Sequence, residues 1–303
     1  MQVPFATVDV FTDRRFGGNP LAVVTDARGL SGEQMQAIAA EFNLAETTFV
    51  LPPRDSAHTA EVRIFTPKAE LPFAGHPNIG TAFVLAKAGE CLGHKVAGDR
   101  LVFEEKAGLV PLDLVRDKGE VIATRLAAPQ PLTLGEEIAV DIVAEACSLS
   151  PAEIATGTHR PIVASCGVGF VMTELRPRSA LAAAQARPEV FRHHLPMERA
   201  VGIHLYLRTS EDDLDIQSRM FAPLYGVPED PATGSANVAL IGLLAHFDKD
   251  ADLTLSRAIG QGFDMGRPSI LQVEVEKQAG KITAVRVGGQ SVVVCEGRMQ
   301  LTQ

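Results

Sequence analysis

Short runs of β-branched and aromatic residues, bounded by Gly, Pro and Asp, recur along the first half of the chain. Val3 to Phe11, Leu21 to Val24, Thr47 to Leu51 and Thr59 to Phe65 have this character and predict strands. One segment changes period: after Ser31-Gly32-Glu33-Gln34, which has the form of a capping box, Met35, Ile38 and Phe42 recur at helical spacing, predicting a helix over about Gly32 to Phe42. Leu101 to Glu105 and Leu109 to Val115 flank Lys106-Ala107-Gly108 as a hairpin. The second half is expected to open with a helix from about Glu136 to Cys147. Strands follow at Pro161 to Ser165, Phe170 to Leu175, Gly202 to Leu207 and Leu214 to Arg219. It is expected to close in a meander, Leu271 to Glu276, Ile282 to Val287 and Ser291 to Cys295, with a break at Gly288-Gly289.

A duplication lies within this pattern. Arg63-Ile64-Phe65-Thr66-Pro67 returns as Arg219-Met220-Phe221-Ala222-Pro223, and Gly75-His76-Pro77-Asn78-Ile79-Gly80 returns as Gly234-Ser235-Ala236-Asn237-Val238-Ala239. The order is the same, the second connector is three residues longer, and each copy runs into an apolar helix-like stretch, Thr81 to Ala86 and Leu240 to Ala245. Two pseudosymmetric domains follow, residues 1–118 and 119–303, the final strand being free to return to the first. Antiparallel strands with one apolar helix per half point to an α+β class, each domain a barrel-like sheet around a central helix.

Composition narrows the chemistry. The 303 residues are 46% hydrophobic, 21% charged and carry a formal charge of −9, with no Trp and only Tyr206 and Tyr225 as phenols. An acidic chain without a basic cluster or a stacking platform is not expected to bind nucleic acid or an anionic membrane surface. No apolar run approaches the ~20 residues of a membrane-spanning helix, and the N-terminus lacks the pattern of a secretory leader, so a cytoplasmic location is expected. Cys91, Cys147, Cys166 and Cys295 are far apart, with no CxxC, and are read as reduced thiols, mostly in the core. Gly167-Val168-Gly169 lacks the remainder of a dinucleotide fingerprint, and no metal-ligand spacing occurs, so neither cofactor nor metal is expected.

The repeated turns are the chemical candidates. Each delivers a glycine, Gly75 or Gly234, to the start of a helix, where unpaired N–H groups and the dipole favour a small carboxylate. Asn78 and Ser235 are either ligand contacts or helix caps, Asn78 leaning to the cap and Ser235 to the ligand. The same turns carry titratable His76 and Asp230, whose equivalent placement points to function over plain turn formation.

Five separated motifs resemble the PhzF-like isomerases of phenazine biosynthesis, which share the diaminopimelate epimerase fold. They are Val8-Asp9-Val10-Phe11 with Gly18-Asn19-Pro20-Leu21-Ala22-Val23-Val24, Asn43-Leu44-Ala45-Glu46-Thr47-Thr48-Phe49, Arg63 to Pro67, Phe73 to Ala82, and Glu229-Asp230-Pro231-Ala232-Thr233-Gly234-Ser235-Ala236. The resemblance implies two similar domains with the active site in a cleft between them, and a homodimer. It implies Glu46 as catalytic acid/base, and His76, Asp230 and Ser235, with the backbone of Gly75 and Gly234, as substrate-positioning and proton-relay groups. Glu46 stands between a helix and an apolar strand, where partial desolvation raises a carboxyl pKa toward neutrality. Two departures matter. Where epimerases of this fold carry a thiol in each half, the corresponding turns here are read as Ala74 and Pro231, which disfavours two-thiol racemisation; and Ala45 stands where many relatives have Ser.

The expected activity is a cofactor-independent shift of a proton within a small carboxylate-bearing metabolite. A non-catalytic carboxylate binder, and a dehydratase or epimerase of a hydroxylated amino acid, are the alternatives.

Overall fold

A computed structural model describes residues 1–301. The chain divides into two units, Met1–Leu126 with the C-terminal stretch from Gly288, and Ala127–Val287.

The first unit contains β1 (Gln2–Val10), β2 (Asn19–Val24), α1 (Gly32–Phe42), β3 (Glu46–Leu51), β4 (Ala60–Phe65), β5 (Glu70–Leu71) and α2 (Gly75–Ala88). A small hairpin, β6 (Glu90–Cys91) and β7 (His94–Lys95), leads to β8 (Arg100–Glu105), β9 (Gly108–Asp117) and β10 (Glu120–Ala127). Pairing runs β1–β2, β2–β3, β3–β4, β4–β8, β8–β9 and β9–β10, and then returns to β1 through the C-terminal half of the last strand, a ring of eight. The pairs β1–β2, β3–β4, β8–β9, β9–β10 and β1 with the last strand are antiparallel, and β2–β3 and β4–β8 are parallel. Inside the ring lies α2, buried continuously from His76 to Ala86 because its side chains are apolar or small on every face. Gly80 permits this close approach: a Cβ there would lie 2.7 Å from both Leu21 Cδ2 and Val10 Cγ2.

In α1 the capping box is complete, with Gln34 N donating to Ser31 Oγ (3.2 Å) and Ser31 N to Gln34 Oε1 (2.9 Å). The helix ends on Asn43 in the left-handed region, φ 51°, and the short turn that follows delivers Glu46 as the first residue of β3.

The second unit repeats the scheme with additions. It contains β11 (Thr133–Glu137), α3 (Val140–Ala146), β12 (Ile162–Ser165), β13 (Gly169–Glu174), α4 (Arg178–Ala183), α5 (Pro188–His194), β14 (Gly202–Arg208), β15 (Ile216–Ala222), β16 (Val227–Asp230), α6 (Gly234–Phe247), β17 (Leu253–Gln261), β18 (Ser269–Gln278) and the start of β19 (Lys281–Gln300), which from Gly288 onward belongs to the first unit. The parallel pairs β13–β14 and β15–β17 occupy the places of β2–β3 and β4–β8. The apolar helix α6, buried from Ala236 to Ala245, corresponds to α2. Its C-terminal carbonyls are held by the buried Lys277 ammonium, which donates to Ala245 O (3.0 Å) and Asp248 O (2.8 Å). Helices α3, α4 and α5 pack a separate apolar cluster with Phe191, Leu205 and Phe221.

The fold class is α+β, as the sequence pattern predicts. Three local expectations change. Phe11 adopts φ 67° and so falls outside β1. The helix expected from Glu136 begins instead at Val140, because residues 133–137 find a partner ladder in β12, and tertiary pairing outweighs helical periodicity. The Gly288-Gly289 pair does not break the last strand: β19 is continuous, and Gly288 serves a close approach, a Cβ there falling 2.7 Å from Thr124 O. Cys91, Cys147 and Cys166 are buried and Cys295 is exposed, all unbridged. Among the described residues no helix is long and apolar enough to cross a membrane.

Candidate active site: a cluster in each unit

In the first unit, Glu46 at the head of β3 faces the first turn of α2. His76 Nε2 lies 3.4 Å from Glu46 Oε2, with the two side chains 8% and 19% exposed. Burial pushes the His76 imidazole down to about 3, so it is neutral at physiological pH. A neutral ring beside a carboxyl has one donor and one acceptor nitrogen and is equipped to pass a proton without carrying a charge. The helix that presents it has no side-chain cap at Ala74 and no acidic residue in its first turn, and a Cβ on Gly75 would meet no atom within 4 Å. The start of the helix is therefore uncapped, with room beside Gly75, the arrangement that suits an anion. Asn78 is not part of that opening. It is fully buried, and its Nδ2 donates to Ala74 O at 3.0 Å, bracing the start of the helix.

In the second unit, Asp230 ends β16 and is half-buried; Thr233 Oγ1 donates to its Oδ2 at 2.6 Å. The helix α6 again starts without a side-chain cap and without an acidic first turn. Ser235, its second residue, is half-buried, and its hydroxyl engages no protein group, which leaves it available to a ligand. Beneath this turn lies Gln261, fully buried at the end of β17. Its Nε2 donates to Asp230 O (2.8 Å) and Thr233 Oγ1 (2.9 Å), while its Oε1 accepts from Thr233 N (3.2 Å) and Asn237 Nδ2 (2.9 Å). Asn237 also donates to Thr233 O at 3.0 Å, as Asn78 does to Ala74 O. One amide thus holds residues 230 to 237 in register.

The duplicated arginines have matching tasks. Arg63 forks Glu70 at 2.7 and 2.9 Å, and Arg219 forks Glu229 at 2.8 Å through both nitrogens. Each pair closes the strand-to-helix connector, and Glu229 directly precedes Asp230. Arg219 goes further, donating through Nη1 to the carbonyls of Leu181, Ala182 and Ala184 at 2.7, 3.1 and 3.0 Å.

Sequence reasoning singled out Glu46, His76, Gly75 and Asn78, which the first unit brings to one helix start, and Asp230, Gly234 and Ser235, which the second brings to another. It missed Gln261, Thr233, and the acid partners Glu70 and Glu229. The unequal connectors hid the last two, although an acidic residue before each repeated turn is visible once the arginines are aligned. The residue equivalent to Ala74 is Thr233, the cap of α6, rather than Pro231; neither position offers a thiol. Among the described residues no group of three His, Cys, Asp or Glu side chains is placed to hold a metal.

Comparison with known proteins gives the family of the chain. Residues 8–297 match the family described as Phenazine biosynthesis-like protein, PhzC-PhzF. The chain is 39% identical to an uncharacterized isomerase of Mesorhizobium japonicum, over 96% of each chain. It is 35% identical to the trans-2,3-dihydro-3-hydroxyanthranilate isomerase of Pseudomonas aeruginosa, over 98% of this chain and 99% of that one. In fold it is similar to a PhzF-family phenazine biosynthesis protein of Bacillus anthracis, with a TM-score of 0.89 at 24% identity over 99% of this chain and 100% of that one. The chain belongs to the PhzC-PhzF family of phenazine biosynthesis-like proteins.

Proposed function

We propose that this protein is an isomerase that needs no cofactor and moves a proton within a small, carboxylate-bearing, cyclic or unsaturated metabolite. Glu46 takes the proton from one carbon and returns it to another. His76 and Asp230 hold or relay protons at ring substituents. The first turn of α2 in the first unit and that of α6, with Ser235, in the second are each suited to hold a carboxylate, so that positioning and dipoles contribute alongside proton transfer. The observation that carries the reading is the contact of Glu46 with a buried, neutral His76 at an uncapped helix start. A carboxyl and an uncharged imidazole in that setting suit general acid/base work more than charge pairing.

The relatives named trans-2,3-dihydro-3-hydroxyanthranilate isomerase make that compound the first substrate to try. Proton NMR in D₂O, with it and a panel of small cyclic and unsaturated carboxylates, is expected to show deuterium entering a carbon position as the isomer accumulates. Binding seen by line broadening, with no deuterium incorporated and no product across the panel, would replace this reading with that of a carboxylate binder.

A further inference from the structure

One buried titratable group has no part in the proton transfer just described. Glu105 ends β8 at 5% exposure, on the same inward row as Leu101 and Phe103. Neither of its carboxyl oxygens completes a hydrogen bond, and the polar group that faces it is the Asn78 amide. The charged groups of neighbouring elements are engaged elsewhere. Glu104 takes Arg54 and His58, Glu70 takes Arg63 and Lys106, and His76 faces Glu46.

The register of the two units identifies its counterpart. In the first, Ala60 and Glu61 lie opposite Phe103 and Glu104; in the second, Ile216, Gln217 and Ser218 lie opposite Ile259, Gly260 and Gln261. With Arg63 and Arg219 as the duplicated reference, Ala60 corresponds to Ile216, and Glu105 therefore to Gln261. The remaining partners correspond as well. Ile64 lies opposite Leu71 where Met220 lies opposite Asp230, and Asn78 braces Ala74 O where Asn237 braces Thr233 O.

We infer that Glu105 is a positioning residue that works as an undissociated acid, taking in the first unit the place of the Gln261 amide. Its carboxyl faces Asn78 from the place where Gln261 Oε1 accepts from Asn237 in the second unit. Its hydroxyl occupies the place from which Gln261 Nε2 donates to the main chain, the corresponding acceptor being the Leu71 carbonyl. A dissociated carboxylate has no donor to offer there and would face the turn with acceptors only. The carboxyl so held steadies residues 71 to 75, and through them the His76 ring opposite Glu46. Burial pushes the Glu105 carboxyl up to about 8, against a smaller opposing pull from Asn78, in keeping with that role.

The test compares wild type with Glu105→Gln and Glu105→Ala. Because the folded-state pKa is raised, the stability owed to the neutral acid is complete below the unfolded value and is lost as pH rises through the folded one. The unfolding midpoint of Glu105→Gln is therefore expected to gain on wild type steadily between about pH 5 and pH 8 and to hold that gain above. A difference that does not change with pH would overturn the assignment. Other buried groups, His76 and His204 among them, are common to both proteins and cancel in the comparison. The ¹⁵N imidazole resonances of His76 are expected to keep their positions in Glu105→Gln and to move in Glu105→Ala; movement in both variants, or in neither, would likewise count against it. Only the kinetic arm rests on the isomerase reading: there kcat should fall by about tenfold in Glu105→Ala and return to within about threefold in Glu105→Gln, with KM little changed. Normal kcat in Glu105→Ala would overturn the positioning role. Absence of turnover in wild type would overturn the isomerase reading while the pH and NMR arms still decide this one.

Discussion

Replacing Glu46 by Gln is expected to lower turnover by about 10³-fold or more, on the order of 4 kcal/mol of transition-state stabilisation, while ligand affinity stays within a few-fold. The side chain keeps its shape and can still touch His76, so the change isolates the capacity to take up and release a proton. The contrast between kcat and affinity is what separates the readings: a group acting only in the transition state lowers kcat and kcat/KM together, whereas a binding contact raises KM. His76 cannot readily substitute for the lost base. Burial holds its ring neutral down to about pH 3, so the imidazolium that would form on taking the proton is itself disfavoured where it stands. Steady-state kinetics with ligand titration of the variant checks this. Activity close to wild type in Glu46→Gln would remove Glu46 from the mechanism.

The largest stability effect is expected at Arg219. Its guanidinium is 9% exposed, forks Glu229 and caps three carbonyls with one nitrogen. Truncation to Ala leaves a largely buried carboxylate and three acceptors without their donor, and should cost ~3–5 kcal/mol in denaturant unfolding. The duplicated partner gives an internal control. Arg63 is 25% exposed, and its partner Glu70 is also held by the Lys106 ammonium at 2.6 Å, so Arg63→Ala leaves that carboxylate still paired and should cost distinctly less. Equal losses at both positions would show that burial and the carbonyl contacts of Arg219 are not what makes the difference. Because Glu229 adjoins Asp230, the Arg219 variant is also expected to disturb the candidate site of the second unit even where the protein remains folded.

Local signals carried much of the architecture. The capping box at Ser31 placed α1, and its bounds are those of the periodic run, because cap and stripe agree and nothing distant competes. Strand identity was readable wherever β-branched runs met Gly or Pro. Partner choice was not: Glu136 and Glu137 look helical until β12 lies beside them, and Gly288-Gly289 looks like a break until the backbone of Thr124 accounts for the missing side chain. The site divides in the same way. Residues next to the repeated glycines could be nominated because the motif itself contains them, and Glu46 only through family resemblance. Glu105 and Gln261 could not be found, since their equivalence exists only in the parallel register of β4–β8 and β15–β17, where the aligned strands resemble each other little in sequence.

The distribution of thiols turns the molecule into its own unfolding counter. Cys295 is accessible, while Cys91 sits in the core of the first unit and Cys147 and Cys166 in that of the second, their thiols pushed up to about 11, 12 and 12 by burial. A maleimide at neutral pH can therefore attach once to the native chain. Each further adduct records the opening of an identifiable unit, and peptide mapping of the labelled sites tells which of the two opened first.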